Sequence, residues 1–334
     1  MPRTTLALTS FVSGEFSAKL DGRTDFQKYN TSCKTLENFL VHPQGAATRR
    51  VGTQFIAEVK SSAAKTRLIP FEFSTTQTYI MEFGNNYIRF YKDKGQILSG
   101  GSAYEIASPY ATSELFDIKF AQSADVMYLC HPNHDVRKLS RSGHTSWTLA
   151  TVSFTGSPSP AISGADNRPS CVSFFEQRLV FANTNNNPQT LFFSKSGDYE
   201  NMTTGTNADD AMIYTIASNQ VNAIRFLKAQ RTLIVGTTGG EFTVSADGTD
   251  AAITPTNIAI KRQSSYGSAN VDAQPAGNAT LFLQRAKRKI RELAYNFDVD
   301  GYQAADMTIL NDTVTTSGIN EMAYQQSPDS ILWC

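Results

Sequence analysis

Two histidines near the middle of the chain have a spacing that could serve a metal ion. His131 and His134 are three residues apart, and both are next to proline or asparagine. A zinc site needs three or four His, Cys or carboxylate ligands, and the neighbouring sequence does not supply the rest. We therefore expect a polar turn at this pair, and we predict neither a metal nor a cofactor for this chain.

Three carboxylates are candidates for acid–base chemistry: Glu114, Asp117 and Glu321. Glycoside hydrolysis needs two carboxyl groups that converge on one cleft, and no pattern in the sequence brings these three together. The chain also contains no nucleophile elbow, phosphate loop, zincin motif or EF-hand loop. The sequence therefore favours a protein that is not an enzyme.

Basic residues cluster at two places that could contact an acidic partner. Arg49 and Arg50 precede a glycine, where paired guanidinium groups can bind phosphate or a carboxylate. The densest cluster contains Arg285, Lys287, Arg288, Lys289 and Arg291. We expect residues 286–288 to form a hairpin turn with the bases around its tip. Arg49, Arg50, Arg285, Lys287, Arg288 and Lys289 are the candidate interaction residues, and a solvated turn is the alternative for each group.

Composition limits the classes of protein that this chain can belong to. It has 334 residues, 30 basic and 30 acidic side chains, and therefore a formal net charge of zero. Nothing in this balance suggests a general nucleic-acid or membrane-surface binder. No apolar run approaches the roughly 20 residues of a membrane span. The four cysteines form no Cys-x-x-Cys pair, so we expect a chain that folds in a reducing compartment without disulfides.

A repeat organises the elements that position these residues. Residues 221–245 are typical of three short strands joined by tight turns. The second strand is apolar on both faces, as in the middle of a packed sheet. Equivalent apolar centres lie 48, 52, 54, 48 and 50 residues apart. These six centres are Ile80, Tyr128, Val180, Ile234, Phe282 and Leu332.

The sequence around each centre supports a four-stranded unit. An apolar residue of an alternating strand follows most centres by eight residues, for example Ile88, Val136, Phe242 and Ile290. Candidate fourth strands are 103–106, 146–152, 212–216, 258–261 and 303–308. Four strands with a period near fifty are typical of a β-propeller blade. The alternative is a β-sandwich, or several small β-domains, with accidental spacing.

These patterns predict an all-β chain in two parts. Residues 1–65 form an irregular N-terminal segment that contacts a platform, and residues 66–334 form a β-propeller of about six four-stranded blades. The chain stops at Cys334, inside a central strand of the sixth unit. We therefore expect the last blade to be incomplete and the protein to continue beyond this point.

The N-terminal part resembles a family of bacteriophage and prophage tail proteins. The residues that carry this resemblance are Phe11, Gly14, Glu15, Phe16, Ser17, Gly22, Arg23, Asp25, Lys28, Tyr29, Leu36, Glu37, Asn38, Phe39, Pro43, Gln44, Gly45, Arg49, Arg50, Gly52 and Thr53. Further motifs that resemble the family lie at 108–110, 115, 122–128, 178–181, 194–199 and 285–293.

The family is similar to the nozzle, or tail tubular protein B, of short-tailed phages. The resemblance implies a structural, propeller-bearing subunit of the virion tail, assembled in the bacterial host cytoplasm. It also implies a homo-hexameric ring beneath a tail adaptor or portal-proximal protein, with tail-fibre or tailspike contacts outside. Double-stranded DNA would pass non-specifically through the central channel during ejection.

Two other functions remain open from the residues. One is a carbohydrate-binding or glycan-cleaving propeller that acts in receptor recognition, which predicts an acidic or aromatic pocket at the propeller mouth. The other is a cellular WD-repeat scaffold. The Gly-His and Trp-Asp signatures of that repeat are missing, which weighs against it.

Overall fold

The computed structural model describes residues 7–217, 222–248 and 251–334. The predicted boundary between the third and fourth units, at 218–219, lies outside the described residues, as does Val221. Within the described ranges, no helix has the length and the apolar content needed to cross a membrane.

The N-terminal segment contains four very short strands. These are β1 (Gly14–Glu15), β2 (Ser32–Cys33), β3 (Phe39–Val41) and β4 (Ala47–Arg49). Strands β1 and β2 pair in parallel, and β3 and β4 form an antiparallel hairpin. Two 3-10 helices, Ala18–Leu20 and Gln27–Thr31, lie between β1 and β2. This segment therefore has little regular structure, in agreement with the irregular N-terminal segment that the sequence predicted.

The first large sheet follows directly. Its region contains β5 (Arg67–Ser74), β6 (Gln77–Gly84), β7 (Tyr87–Lys92), β8 (Gly95–Gln96), β9 (Leu98–Ser99), β10 (Ser102–Ala103) and β11 (Glu105–Ala107). The main strands pair in the order β11-β7-β6-β5. Pro70 lies in β5, which pairs only with β6 among the described strands, and a proline is tolerated in such an edge strand because it has no N–H to donate.

Four further sheets repeat this meander. The second has β12 (Lys119–Ser123), β13 (Val126–His131), β14 (His134–Gly143) and β15 (Ser146–Thr151), and the third has β16 (Cys171–Phe175), β17 (Arg178–Ala182), β18 (Thr190–Phe193) and β19 (Met212–Thr215). The fourth has β20 (Ile224–Ala229), β21 (Leu233–Thr237), β22 (Gly240–Ala246) and β23 (Ile258–Ser264), and the fifth has β24 (Gln274–Ala276), β25 (Ala279–Leu283), β26 (Ile290–Asn296) and β27 (Gly301–Asp306). All pairs within these sheets are antiparallel.

The sixth sheet has two described strands, β28 (Ala323–Gln325) and β29 (Ile331–Trp333). The six sheets form a β-propeller, and we call them blades 1 to 6. All six predicted centres, from Ile80 to Leu332, lie in the second strand of their blade. Two more 3-10 helices, Leu115–Asp117 and Phe297–Val299, lie at blade edges.

The hydrophobic core lies between consecutive blades rather than within a single layer. In β13, Met127 and Leu129 pack against blade 1, whereas Tyr128 and Cys130 pack against blade 3. Strand side chains alternate between the two faces of a sheet. A middle strand of a propeller blade must therefore be apolar at consecutive positions, which is the pattern that marked the repeat.

Five apolar clusters join the blades in order, from blades 1 and 2 through blades 5 and 6. Among the described residues, no such cluster joins blade 6 back to blade 1. There the buried Arg67 of β5 donates from Nε to Glu321 Oε1 at 2.8 Å. The ring is therefore closed by a polar contact.

Candidate functional site: the central channel and the blade 2 turn

The first strands of all six blades line a central channel. It contains a cavity of about 750 Å³. The strand that begins each blade is its innermost strand, so six inner edges surround the axis. The wall contains both aromatic and charged side chains: Phe116, Phe120, Phe174, Tyr324, Trp333, Arg67, Lys119, Asp272 and Glu321.

An ion pair crosses this channel. Lys119 Nζ in blade 2 lies 3.0 Å from Asp272 Oδ1 in blade 5. Nearby, Asn270 Nδ2 donates to Asp117 Oδ1 at 3.1 Å. Blades 2 and 5 lie opposite each other in a ring of six, so both contacts span the axis. They obstruct the channel at the end where the inner strands begin.

The carboxylates at this end of the channel are already engaged. Glu321 accepts from Arg67, Asp272 pairs with Lys119, and Asp117 accepts from Asn270. The sequence did not predict that Asp117 and Glu321 would lie at the same end of one channel. Each residue lies two positions before an inner strand, Asp117 before β12 and Glu321 before β28, and the inner strands begin at this end of the channel. Glu114 lies elsewhere, at the turn of blade 2 described below.

Lys228 adds a further amine to the channel wall. Burial lowers the pKa of Lys228, and the negative charge of Asp272 partly opposes that effect. The channel therefore offers aromatic faces, a desolvated amine and paired charges to a small ligand.

The first predicted basic pair lies in the N-terminal segment. Arg49 ends β4 and is exposed, while Arg50 follows it and is half-buried. The backbone N–H of Arg50 donates to the carbonyl of Asn38 at 2.8 Å. The pair thus belongs to the β3–β4 hairpin, and the Arg49 side chain faces solvent.

The second predicted group lies where the sequence indicated, at the turn between β25 and β26. Arg285, Lys287, Arg288 and Lys289 are all exposed there. Lys289 Nζ lies 2.8 Å from Asp306 Oδ2, so its charge is partly neutralised. Lys287 has a φ of 59°, which suits a tight turn. The two basic groups are separate surface features on different elements.

Arg291, the fifth base of this cluster, has a different role. It is buried, its Nη1 donates to the Ala304 carbonyl at 2.7 Å, and its guanidinium lies 3.4 Å from the centre of the Tyr266 ring. Arg291 therefore holds blade 5 together instead of facing a partner.

One cluster of potential ligands was not predicted from the sequence. The β13–β14 turn carries His131 and His134, and the connection from blade 1 brings Glu114 against them. One ligand atom from each residue lies within 4.8 Å of those of the other two. His134 Nε2 is 2.9 Å from Glu114 Oε2. The sequence could not identify Glu114 as a third potential ligand, because this residue lies 20 positions before His134, outside the β13–β14 turn.

Electrostatics in this cluster favour an ionised carboxylate and a neutral imidazole. Burial opposes ionisation of Glu114, but hydrogen bonds from His134, the Ala111 backbone and Asn133 lower the pKa of Glu114 to about 2. Burial lowers the pKa of His131, against the charge of Glu114. These are the protonation states in which both groups can ligate a metal ion.

The cysteines are free thiols in the structure. Cys130 and Cys171 are buried, and burial raises the pKa of Cys171 to about 11. A thiol with so high a pKa is poorly reactive.

No family model matches this chain, and no curated protein matches it. Solved structures with a similar fold include the β-propeller domain of Cps50 (Swd1) from Myceliophteria thermophila, with a TM-score of 0.40 and 10% identity over 69% of each chain. BamB from Moraxella catarrhalis gives a TM-score of 0.39 and 8% identity, covering 72% of this chain and 60% of BamB. Identities this low relate the fold alone and bear on neither activity nor partners.

Proposed function

We propose that this chain is a non-enzymatic structural subunit of a short-tailed phage tail, in the ring called the nozzle or tail tubular protein. It would join tail parts in the virion, as a ring of copies that surrounds the path of ejected DNA. The observation that carries the proposal is a segment of the N-terminal part, residues 51–56, that exposes three apolar side chains and overlaps the end of the residues that resemble that family.

Residues 51–56 are all exposed and lie in no helix or strand. Val51 is 78% exposed and Phe55 is 80% exposed. Exposed apolar side chains that are grouped in this way, here with Ile56 as the third, are typical of a surface that another protein covers. Arg49 and Arg50 directly precede residues 51–56, so the same surface offers charge for a carboxylate on a partner such as the tail adaptor.

Two other motifs of the resemblance, 178–181 and 194–199, have structural roles in this chain, which supports a scaffold. Buried Arg178 donates to the carbonyls of Ser194, Ala208 and Asp210 at 2.6–2.8 Å. These bonds fix the loop that contains residues 194–199. Gly197, with a φ of +73°, donates its N–H to the Gln177 carbonyl at that loop. Such contacts position a loop and supply no reactive group.

The obstructed channel bears on the path of DNA. Lys119 and Asp272 meet across the axis of a single chain, so duplex DNA would have to pass between subunits, through the middle of the ring. Such a path should attract DNA weakly, because tight phosphate contacts would slow its passage. The formal net charge of zero is compatible with weak attraction.

Assembly of the untagged chain tests the proposal. We expect six-membered rings by negative-stain electron microscopy and light scattering, and antibody label on the tails of virions that encode the sequence. Phe55→Asp should abolish assembly with the neighbouring tail protein, because it puts a charge into the apolar contact. Phe297→Asp is the matched control, since Phe297 is 86% exposed on blade 5. A chain that stays monomeric and is absent from virions would refute the proposal.

The aromatic residues of the channel support a second candidate, a carbohydrate-binding propeller for receptor recognition. Tyr324 and Trp333 line the same cavity as Glu321 and Asp272. Sugars stack on aromatic faces and donate hydrogen bonds to carboxylates. Binding to a glycan array that is lost in Trp333→Ala would favour this function; an array without signal would exclude it.

A further inference from the structure

We propose that Glu114, His131 and His134 form a binding site for a divalent transition metal ion, with Zn²⁺ as the best-matched ion. The site would pin the blade 1–blade 2 connection to the β13–β14 turn. It does not depend on the tail assignment, because its residues lie within one chain and away from the channel.

The donor set suits such an ion. Two imidazoles and one carboxylate are the ligands of many three-ligand zinc sites, which leave a fourth position for water. Two atoms each about 2 Å from a tetrahedral zinc lie roughly 3.3 Å apart. His134 Nε2 and Glu114 Oε2, at 2.9 Å, are close to that separation. The His131 ligand atom, within 4.8 Å of the other two, has to approach by a rotation of its side chain.

A second observation points to a missing ligand. His131 is only 2% exposed, and its Nε2 has no hydrogen-bond partner among the described residues. The backbone N–H of Asn133 donates to Nδ1 of the same ring at 3.1 Å. The buried hydroxyl of Tyr110 also lacks a partner, and its ring packs 5.9 Å from His131 and 5.1 Å from His134. Buried polar atoms without hydrogen-bond partners cost free energy. A bound metal ion that ligates the His131 ring would explain why an unpartnered nitrogen is buried here.

Metal binding has a cost at His131. The Asn133 hydrogen bond leaves the ring proton on Nε2, so ligation through Nε2 moves that proton to Nδ1. Ligation through Nδ1 displaces the Asn133 N–H instead. Either route gives up one neutral hydrogen bond of the turn. Ligation through His134 Nε2 also replaces its hydrogen bond with Glu114 Oε2. Three metal–ligand bonds outweigh these two hydrogen bonds.

The carboxylate is already oriented by its neighbours. Glu114 Oε2 accepts from the Ala111 backbone at 2.9 Å, and Oε1 accepts from Asn133 Nδ2 at 3.2 Å. Partners of this kind fix the direction of a ligand before the ion arrives.

Cobalt and zinc titrations of the untagged, chelator-treated chain test the site. We expect one equivalent of Co²⁺ to give visible absorption bands of low coordination number, and Zn²⁺ to displace it. His134→Gln and Glu114→Gln should each weaken binding by at least about tenfold. Zn²⁺ should raise the Tm of the native chain and leave that of His134→Gln unchanged. His42→Gln is the matched control, because it removes an imidazole from the distant β3–β4 hairpin.

Three results would overturn the site: no stoichiometric Co²⁺ uptake, equal uptake by His134→Gln, or loss of uptake in His42→Gln. His131→Phe keeps the buried ring, and it should also lose the cobalt bands. If that variant does not fold, the two half-buried ligands, His134 and Glu114, still decide the outcome.

Discussion

The contact between blades 1 and 2 and the contact between blades 6 and 1 hold the same ring by different means. In the first, Trp147 of blade 2 stacks on Phe90 of blade 1, with ring centroids 4.4 Å apart, and also touches Phe71 and Tyr79. In the second, Arg67 reaches one carboxylate, Glu321, that is 43% exposed. One contact depends on buried apolar area, and the other depends on a directed hydrogen bond near water.

This difference indicates where the ring is weak. Apolar burial contributes about 25 cal/mol per Å², and all five consecutive blade pairs use it. An ion pair with an exposed partner contributes about 1 kcal/mol or less. The closure between blades 6 and 1 should therefore open before any other blade pair separates.

The largest effect should follow from removing Trp147. Trp147→Ala deletes a buried aromatic side chain and leaves a cavity, so we expect a loss of about 3–5 kcal/mol in the free energy of unfolding. Trp333→Ala in blade 6 is the matched control. It should cost about 1 kcal/mol or less, since Trp333 is 40% exposed. Urea denaturation of both variants measures the contrast, and equal losses would show that blade 6 is as firmly packed as blade 2.

Replacing Arg67 should cause the next largest loss of stability, because its side chain makes two contacts. Its Nη1 donates to the carbonyls of Leu115 and Ile118 in the blade 1–blade 2 connection, in addition to the Glu321 contact. Arg67→Leu leaves both carbonyls without their donor, so we expect a loss of about 2–4 kcal/mol. Arg67→Lys, which keeps the charge but not the forked geometry, should recover only part of it. A variant as stable as the native chain would contradict this role.

The contribution of Glu241 to the free energy of unfolding should change with pH. It is fully buried at the contact of blades 4 and 5, where Ser264 and Ser268 donate to it. Burial raises the pKa of Glu241, against those hydrogen bonds and the charge of Arg291. The folded chain therefore holds this proton more tightly than the unfolded chain. The resulting stability is complete below the ordinary pKa of a glutamate and declines as pH rises through the folded value.

Glu241→Gln should remove that decline. We expect denaturation midpoints of the variant to vary less between pH 4 and pH 8, with a gain relative to the native chain at the upper end. If Glu241 instead made the native chain more stable as the pH rises from 4 to 8, the pKa of Glu241 would be lowered on folding. That result would contradict the assignment.

The smallest effect should come from Glu321→Gln, which weakens only the closure. We expect a loss of about 1 kcal/mol or less. Hydrogen exchange should speed up in β28 and β29 while β13 and β21 keep their protection. Equal acceleration in all blades would mean that the ring opens only as one unit.

The repeat could be predicted from the sequence because its signal is local. Consecutive apolar residues such as Leu179 and Val180 must face two neighbouring blades, and this need recurs at each second strand. The turn at 286–288 was predictable for the same reason, since its charged residues and the two strands that it joins are adjacent in the chain.

Contacts between distant residues had no such signal. Arg67 and Glu321 are 254 positions apart, and Lys119 meets Asp272 only because opposite blades share an axis. Glu114 joins the two histidines through the path of a connection. The sequence pointed to His131 and His134 but could not supply the third ligand, because a loop's course depends on tertiary packing.

The N-terminal segment also has a consequence for the order of folding. Each blade is built from neighbouring residues, so it can form as soon as its own strands leave the ribosome. Ser17, however, donates its backbone N–H to Leu310, and Lys19 pairs with Asp312. Residues 17 and 19 therefore cannot make these contacts until residues 310–312, which follow blade 5, have been synthesised.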